Sequence, residues 1–196
     1  MVTLKVEDLD FSYDNHPVLK GVSFYLESGQ MIGVVGPNGS GKTTLIKCLN
    51  GLVVPDRGKV EIERRDLGSL SRRELARKIG YVPQSETPTF PSTVFDTVLT
   101  GRTAHSSWKP SGEDLQVVSK TLVDMGLDDI SLRDVRELSG GQLRKVLIAR
   151  AFAQEPKLLF LDEPMASLDL RHQLEVLNAV KSWLSGGRGS IVTFHD

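Results

Sequence analysis

The chain has 196 residues, 39% of them hydrophobic, which is enough to bury a core as one domain or as one domain with an inserted subdomain. Its 24 basic and 25 acidic residues leave a formal net charge of -1, so bulk electrostatics lend no support to a nucleic-acid or anionic-membrane partner. The single cysteine, Cys48, excludes an internal disulfide framework and a cysteine-based metal site, and it suits a reducing compartment.

At the start, Met1-Val2-Thr3-Leu4 carries no charged-then-apolar signal pattern, and no apolar run reaches the roughly 18 residues of a membrane span. Work at a membrane would need another chain for the membrane part. Val2, Leu4 and Val6 alternate with polar residues, as do Val22, Phe24 and Leu26, and later Val60 and Ile62, which predicts half-buried, mostly antiparallel strands. Met31 to Val35 is a continuous apolar run ending at a glycine-rich loop, the pattern of a strand buried on both faces. Ser71 and Glu74 form a capping box that opens a short helix toward Lys78. Arg64-Arg65 and Arg72-Arg73 are short clusters that read as solvated faces.

From Ser111, apolar residues at Leu115, Val118, Leu122 and Met125 share one helix face, and Gly126 ends it. Leu143, Val146, Leu147 and Ala151 form a second stripe, and Leu170, Leu174, Leu177 and Leu184 a third. Lys157 to Leu161 and Ser190 to Phe194 are further buried-strand runs. The order predicts an α/β fold: a core over about 1–85 and 149–196, with an antiparallel N-terminal part and a helical insertion over about 86–148.

Gly36-Pro37-Asn38-Gly39-Ser40-Gly41-Lys42-Thr43-Thr44 fits the phosphate-loop pattern between a buried strand and a helix built on Leu45, Ile46 and Leu49. Glycines let successive backbone N–H groups converge on phosphate oxygens, and the helix N-terminus adds its positive dipole end. Lys42 is placed to reach the β- and γ-phosphates and the Thr43 hydroxyl to ligate Mg²⁺. The run Leu158 to Leu161 ends in Asp162-Glu163, where open α/β sheets bind ligands. There Asp162 is the expected Mg²⁺ partner, and Glu163 would orient and polarise an attacking water.

Leu138-Ser139-Gly140-Gly141-Gln142 resembles the signature motif of the ABC ATPases. Read as residues alone, Ser139 can cap a helix beginning near Gln142, a second anion-binding helix start. The resemblance implies more: a RecA-like phosphate-loop fold, ATP and Mg²⁺ as ligands, and a head-to-tail homodimer in which this motif meets the γ-phosphate held by the other copy. It also implies that Tyr13 stacks on adenine and that Gln84 is the hinge glutamine sensing Mg²⁺. Asp169, in Ser167-Leu168-Asp169, would lie in the loop crossing to the opposite subunit, and His195 would be the switch histidine at the γ-phosphate. His16, His105 and His172 lack such context and read as surface residues.

Thr100-Gly101-Arg102, Lys145 to Arg150 and Asp169 to Val176 look most like importers of ferric siderophores, haem or cobalamin. The resemblance thus implies a cytoplasmic motor at the inner face of the cell membrane, working with separate integral permease subunits and with no insertion of its own. A soluble ATPase of iron–sulfur cluster assembly, or a domain that binds ATP without efficient turnover, stays open as an alternative. Met165-Ala166 replaces the family's small polar pair after Glu163-Pro164, a change of packing. The chain stops at His195-Asp196 where relatives continue, so the resemblance implies a C-terminally incomplete domain.

Overall fold

The computed structural model describes residues 2–105, 109–166 and 168–194. Two four-stranded sheets organise it. Strands β1 (Val2–Tyr13), β2 (His16–Glu27), β4 (Arg57–Ile62) and β5 (Arg65–Asp66) form an antiparallel sheet in the order β2-β1-β4-β5. Strands β3 (Met31–Val35), β6 (Ile79–Val82), β7 (Leu158–Leu161) and β8 (Gly189–Phe194) form a parallel sheet in the order β3-β8-β7-β6.

The alternation predicted for β1 holds through Leu4 and Val6 and then shifts phase, with Leu9 and Phe11 buried instead. A register irregularity between Val6 and Leu9 causes the shift, with Asp8 in the left-handed region at φ 46 and its N–H donating to Ser23 Oγ at 2.8 Å. An extra residue in one strand flips which side chains face inward.

Helix α1 (Lys42–Leu49) lies between the two sheets. Its Leu45, Ile46, Cys48 and Leu49 join Leu4, Ile62 and the Leu158 and Phe160 face of the parallel sheet in one apolar core. The opposite face of that sheet, through Leu159, Leu161 and Val192, packs on a second core built by α3 (Val94–Leu99), α4 (Gly112–Asp124), α5 (Gly140–Ala153) and α6 (Leu170–Leu184). Every residue of β7 is buried, so its uninterrupted apolar run reflects contact on both faces. A short helix α2 (Arg72–Lys78) precedes β6, opened by the predicted Ser71–Glu74 capping box.

Three expectations change on contact with the structure. β3 is one of the two edge strands of the parallel sheet, pairing with β8 alone, and Met31 and Val35 are 37% and 63% exposed. On α4, Val118, Leu122 and Met125 are buried but Leu115 is exposed. Asp114 takes the inward place in that turn and pairs with the buried Arg102 at 2.8 Å. On α6 the buried face is Val176, Val180, Trp183 and Leu184, and this turns Leu170 and Leu174 to solvent.

The segment Thr100–Ala104 is a 3-10 helix laid directly on α5: a Cβ at Gly101 would come 2.2 Å from the Arg150 carbonyl oxygen. The adjacent Arg102 guanidinium is satisfied by Asp114, the Ala153 carbonyl and Glu155, fastening this segment to both α4 and α5.

Candidate active site

The loop between β3 and α1 turns at Gly39 and Gly41, with φ of 78 and 93, a region that glycine enters without steric cost. No side chain caps α1, so the first N–H groups of the helix are left to the loop and to a ligand. Lys42, the first helical residue, is buried, and its ammonium donates to the carbonyls of Gly36 at 2.6 Å and Pro37 at 3.1 Å. It also lies 3.5 Å from Glu163 Oε1. A cation is thus held at the centre of the loop.

Glu163 leaves the C-terminal end of β7 with a left-handed backbone, φ 46. Its N–H donates to Thr193 Oγ1 at 2.8 Å, and the Thr193 hydroxyl in turn donates to Asp162 Oδ1 at 2.7 Å. Gln84, just past β6, donates from Nε2 to Glu163 Oε2 at 2.6 Å. Neighbouring parallel strands therefore deliver Gln84, Asp162, Glu163 and Thr193 to one sheet end, beside the loop after β3.

A cavity of about 300 Å³ opens over this group. Tyr13, Asn38, Gly39, Ser40, Gly41, Lys42, Thr43, Thr44, Gln84 and Glu163 line it, together with Val18, which sequence reasoning missed. Tyr13 is 44% exposed, and its ring and that of Phe11 are T-shaped with centroids 4.7 Å apart. Gly36 and Pro37 serve through their carbonyls on Lys42 rather than by lining the cavity.

Asp162 is fully buried, and its Oδ2 has no hydrogen-bond partner. A buried carboxylate oxygen left unpaired is costly unless a cation answers it. Thr43 and Gln84 line the cavity while Asp162 itself does not, and the three offer hard oxygen donors of the kind a small hard dication takes, with water and phosphate completing its shell. Among the described residues no cluster of three or more His, Cys, Asp or Glu side chains forms a metal cage. The same carboxylate, with burial as the larger cause, pushes the Tyr81 phenol up to about 12.

The structure does not bring the Ser139 motif to this cavity. Ser139 caps α5 in a reciprocal box with Gln142, its Oγ accepting from Gln142 N at 3.3 Å and its N–H donating to Gln142 Oε1 at 3.1 Å. The helix begins at Gly140, two residues earlier than the sequence suggests. Asp169 caps α6, accepting from the His172 N–H at 2.9 Å and bonding its ring at 2.7 Å, and these two bonds hold its carboxyl below the usual range.

His172 is not the plain surface residue the sequence suggests: its ring packs against Gly141, 3.0 to 3.2 Å from where a Cβ there would sit. His105 is also partly buried, its Nε2 within 2.9 Å of the Gln154 carbonyl oxygen. His16 is exposed. His195 and Ser167 lie outside the described residues.

Residues 19–166 match the family described as ABC transporter. The chain belongs to the ABC transporter family. It is an ABC-type ATPase domain, and its ABC fold is that of the solved relatives. An uncharacterised ABC transporter ATP-binding protein of Methanocaldococcus jannaschii is 42% identical over the whole chain, which spans 77% of that protein. The cobalamin import ATP-binding protein BtuD of Halobacterium salinarum is 38% identical, and here the chain spans 49% of the relative, about half its length. The hemin import ATP-binding protein HmuV of Rhizobium meliloti is 37% identical over 98% of the chain and 76% of the relative. A solved ABC transporter assigned to the metal-chelate type, in an inward-facing conformation, matches with a TM-score of 0.86 and 36% identity over 98% of this chain and 73% of that one. No helix among the described residues is long and apolar enough to cross a membrane.

The residues that sequence reasoning missed carry the ABC site's internal wiring. Thr193 is one of two buried hydroxyls, with Ser190, in the strand β8, a signal that was available. Arg144 and Arg150, the latter bidentate to Glu86 at 2.6 and 2.7 Å, sit in α5, whose stripe drew attention to its apolar members only.

Proposed function

We propose that this chain is the ATP-hydrolysing subunit of an ABC importer that energises uptake of a metal chelate such as ferric siderophore, haem or cobalamin through a separate permease. The observation that carries the catalytic part is the convergence of Lys42, Gln84 and Glu163 on one cavity at the phosphate loop. The loop N–H groups and Lys42 bind the β- and γ-phosphates, and Tyr13 stacks on adenine. Mg²⁺ would be held by Thr43, Asp162 and Gln84, and it would supply charge neutralisation at the phosphates. Glu163, oriented by Gln84, accepts a proton from the attacking water as the γ-phosphoryl group transfers.

Two copies arranged head to tail would complete each site, the Ser139 to Gln142 helix start of one facing the phosphate loop of the other, with Asp169 at the crossing. Ser139 and Gly140 are exposed, which leaves this helix start open to a second copy. A groove of about 820 Å³ between α2, the Thr100–Ala104 segment and α5 supports a permease contact at the membrane's inner face. The importer and cargo reading draws on the hemin, cobalamin and metal-chelate relatives.

Phosphate release measured with Mg-ATP, for the parent and for Glu163→Gln, tests the catalytic part. Turnover in the parent and its loss in the variant are the expected results; equal turnover in both would remove Glu163 from the mechanism.

A further inference from the structure

Arg144 is a buried cation that the hydrolytic steps above do not use. It is 7% exposed, and each of its hydrogen bonds ends on a backbone carbonyl. Nε donates to Pro164 O at 3.0 Å and Nη2 to Asp162 O at 2.9 Å. Nη1 donates to Pro83 O at 2.6 Å and to Gln84 O at 3.3 Å. The first two carbonyls bracket Glu163, whose backbone is held in the left-handed region at φ 46. A non-glycine residue persists there only where its surroundings over-determine it. The other two carbonyls belong to the turn that presents Gln84 to the Glu163 carboxylate.

The planar guanidinium suits this task because its fixed fork directs donors at four carbonyls on two chain segments, where an ammonium has only three donors. Burial disfavours the charge and is the largest influence on it, and the nearby carboxylates of Asp162 and Glu86 oppose that effect. Without the fork, the carbonyls beside Glu163 and Gln84 would lose buried donors, and the strained turn would be free to relax.

Arg144 also sits one turn into α5, the helix that Ser139 caps and that opens with Gly140 and Gly141. We propose that Arg144 is a positioning residue that fixes Glu163 and Gln84 in their working geometry and ties them to the Ser139 end of α5. This rests on the reading of Glu163 and of the two-copy site given above. An anion engaging α5 from the second copy then bears, through one side chain, on the hydrolytic centre of the first. Coupling of the two ATP sites follows from this link.

The test compares Arg144→Gln and Arg144→Lys with the parent in steady-state hydrolysis over a range of ATP concentrations, and in binding of a fluorescent non-hydrolysable ATP analogue. Glu163→Gln is measured alongside. A misplaced catalytic group costs turnover more than binding, so Arg144→Gln is expected to lower kcat about 100-fold while the analogue's Kd stays within about twofold. The Hill coefficient for ATP should fall toward one, and Arg144→Lys, with the charge but not the fork, should lie between. Unchanged kcat in Arg144→Gln would overturn the proposal. So would a parallel fall in kcat and analogue affinity, which marks a merely structural role. Should Arg144→Gln fail to fold, Arg144→Lys decides by the same kcat-against-affinity criterion. Full turnover in Glu163→Gln would instead sink the underlying reading of Glu163, whatever the Arg144 variants do.

Discussion

Gln84 Nε2 donates to Glu163 Oε2 across 2.6 Å, joining the residue after β6 to the carboxylate after β7. The bond leaves the carboxylate aimed at the phosphate-loop cavity, with Lys42 3.5 Å from its other oxygen. Gln84→Ala removes both the orienting donor and a proposed Mg²⁺ ligand, so Mg-ATP turnover should fall about tenfold while affinity for ATP measured without Mg²⁺ holds. Single-turnover hydrolysis beside equilibrium binding reads both quantities, and an affinity loss equal to the rate loss would contradict the assignment.

Lys42 is the buried cation at the centre of the loop, held by the Gly36 and Pro37 carbonyls. Lys42→Ala deletes the charge meant for the β- and γ-phosphates. Charge-assisted bonds contribute about 1.5 to 3 kcal/mol each, so ATP affinity should drop about 100-fold. Calorimetric titration checks this, and an unchanged Kd would move the site elsewhere.

Much of the architecture is legible in the residues because the phosphate loop and the strand-end acids are local motifs. Gly36 to Thr44 and Asp162-Glu163 each need only a few neighbours to declare their chemistry, and Asn38 to Thr44 and Glu163 line one cavity. Features that depend on partners far along the chain were not legible. Leu115 loses its inward place because Asp114 pairs with Arg102, and Arg144 is satisfied by carbonyls of residues 83, 84, 162 and 164. Likewise the edge position of β3 follows from pairing order, which an apolar run such as Met31 to Val35 does not encode.

The buried Arg102–Asp114 pair predicts a stability effect separate from catalysis. Removing Arg102 leaves the buried Asp114 carboxylate with its Ser111 cap bonds but without its cation, so Arg102→Ala should cost about 3 to 5 kcal/mol in urea unfolding. Pairing Arg102→Met with Asp114→Asn, which removes both charges and keeps an acceptor for the Ser111 cap, should cost less than the single change. A single variant as stable as the parent would show that the pair contributes nothing.

Cys48 gives a pH prediction. Burial, then the charge of Asp56, pushes its thiol up from the ordinary 9.0 to about 11. The folded state favours the neutral thiol, so this contribution is full below pH 9.0 and shrinks as pH rises through about 11. The stability gap between the parent and Cys48→Ala should therefore narrow over that window. A gap constant with pH would contradict the buried, neutral thiol.

The most direct measurement is the solution mass of Glu163→Gln by light scattering, with and without Mg-ATP. The amide keeps the shape of the side chain and removes the carboxylate, so bound ATP should persist between the phosphate loop of one copy and the Ser139 to Gln142 helix start of the other. A shift from monomer to dimer on adding Mg-ATP is the predicted result, and it should vanish when Lys42→Ala is added. A monomer that retains bound ATP would contradict the shared two-copy site.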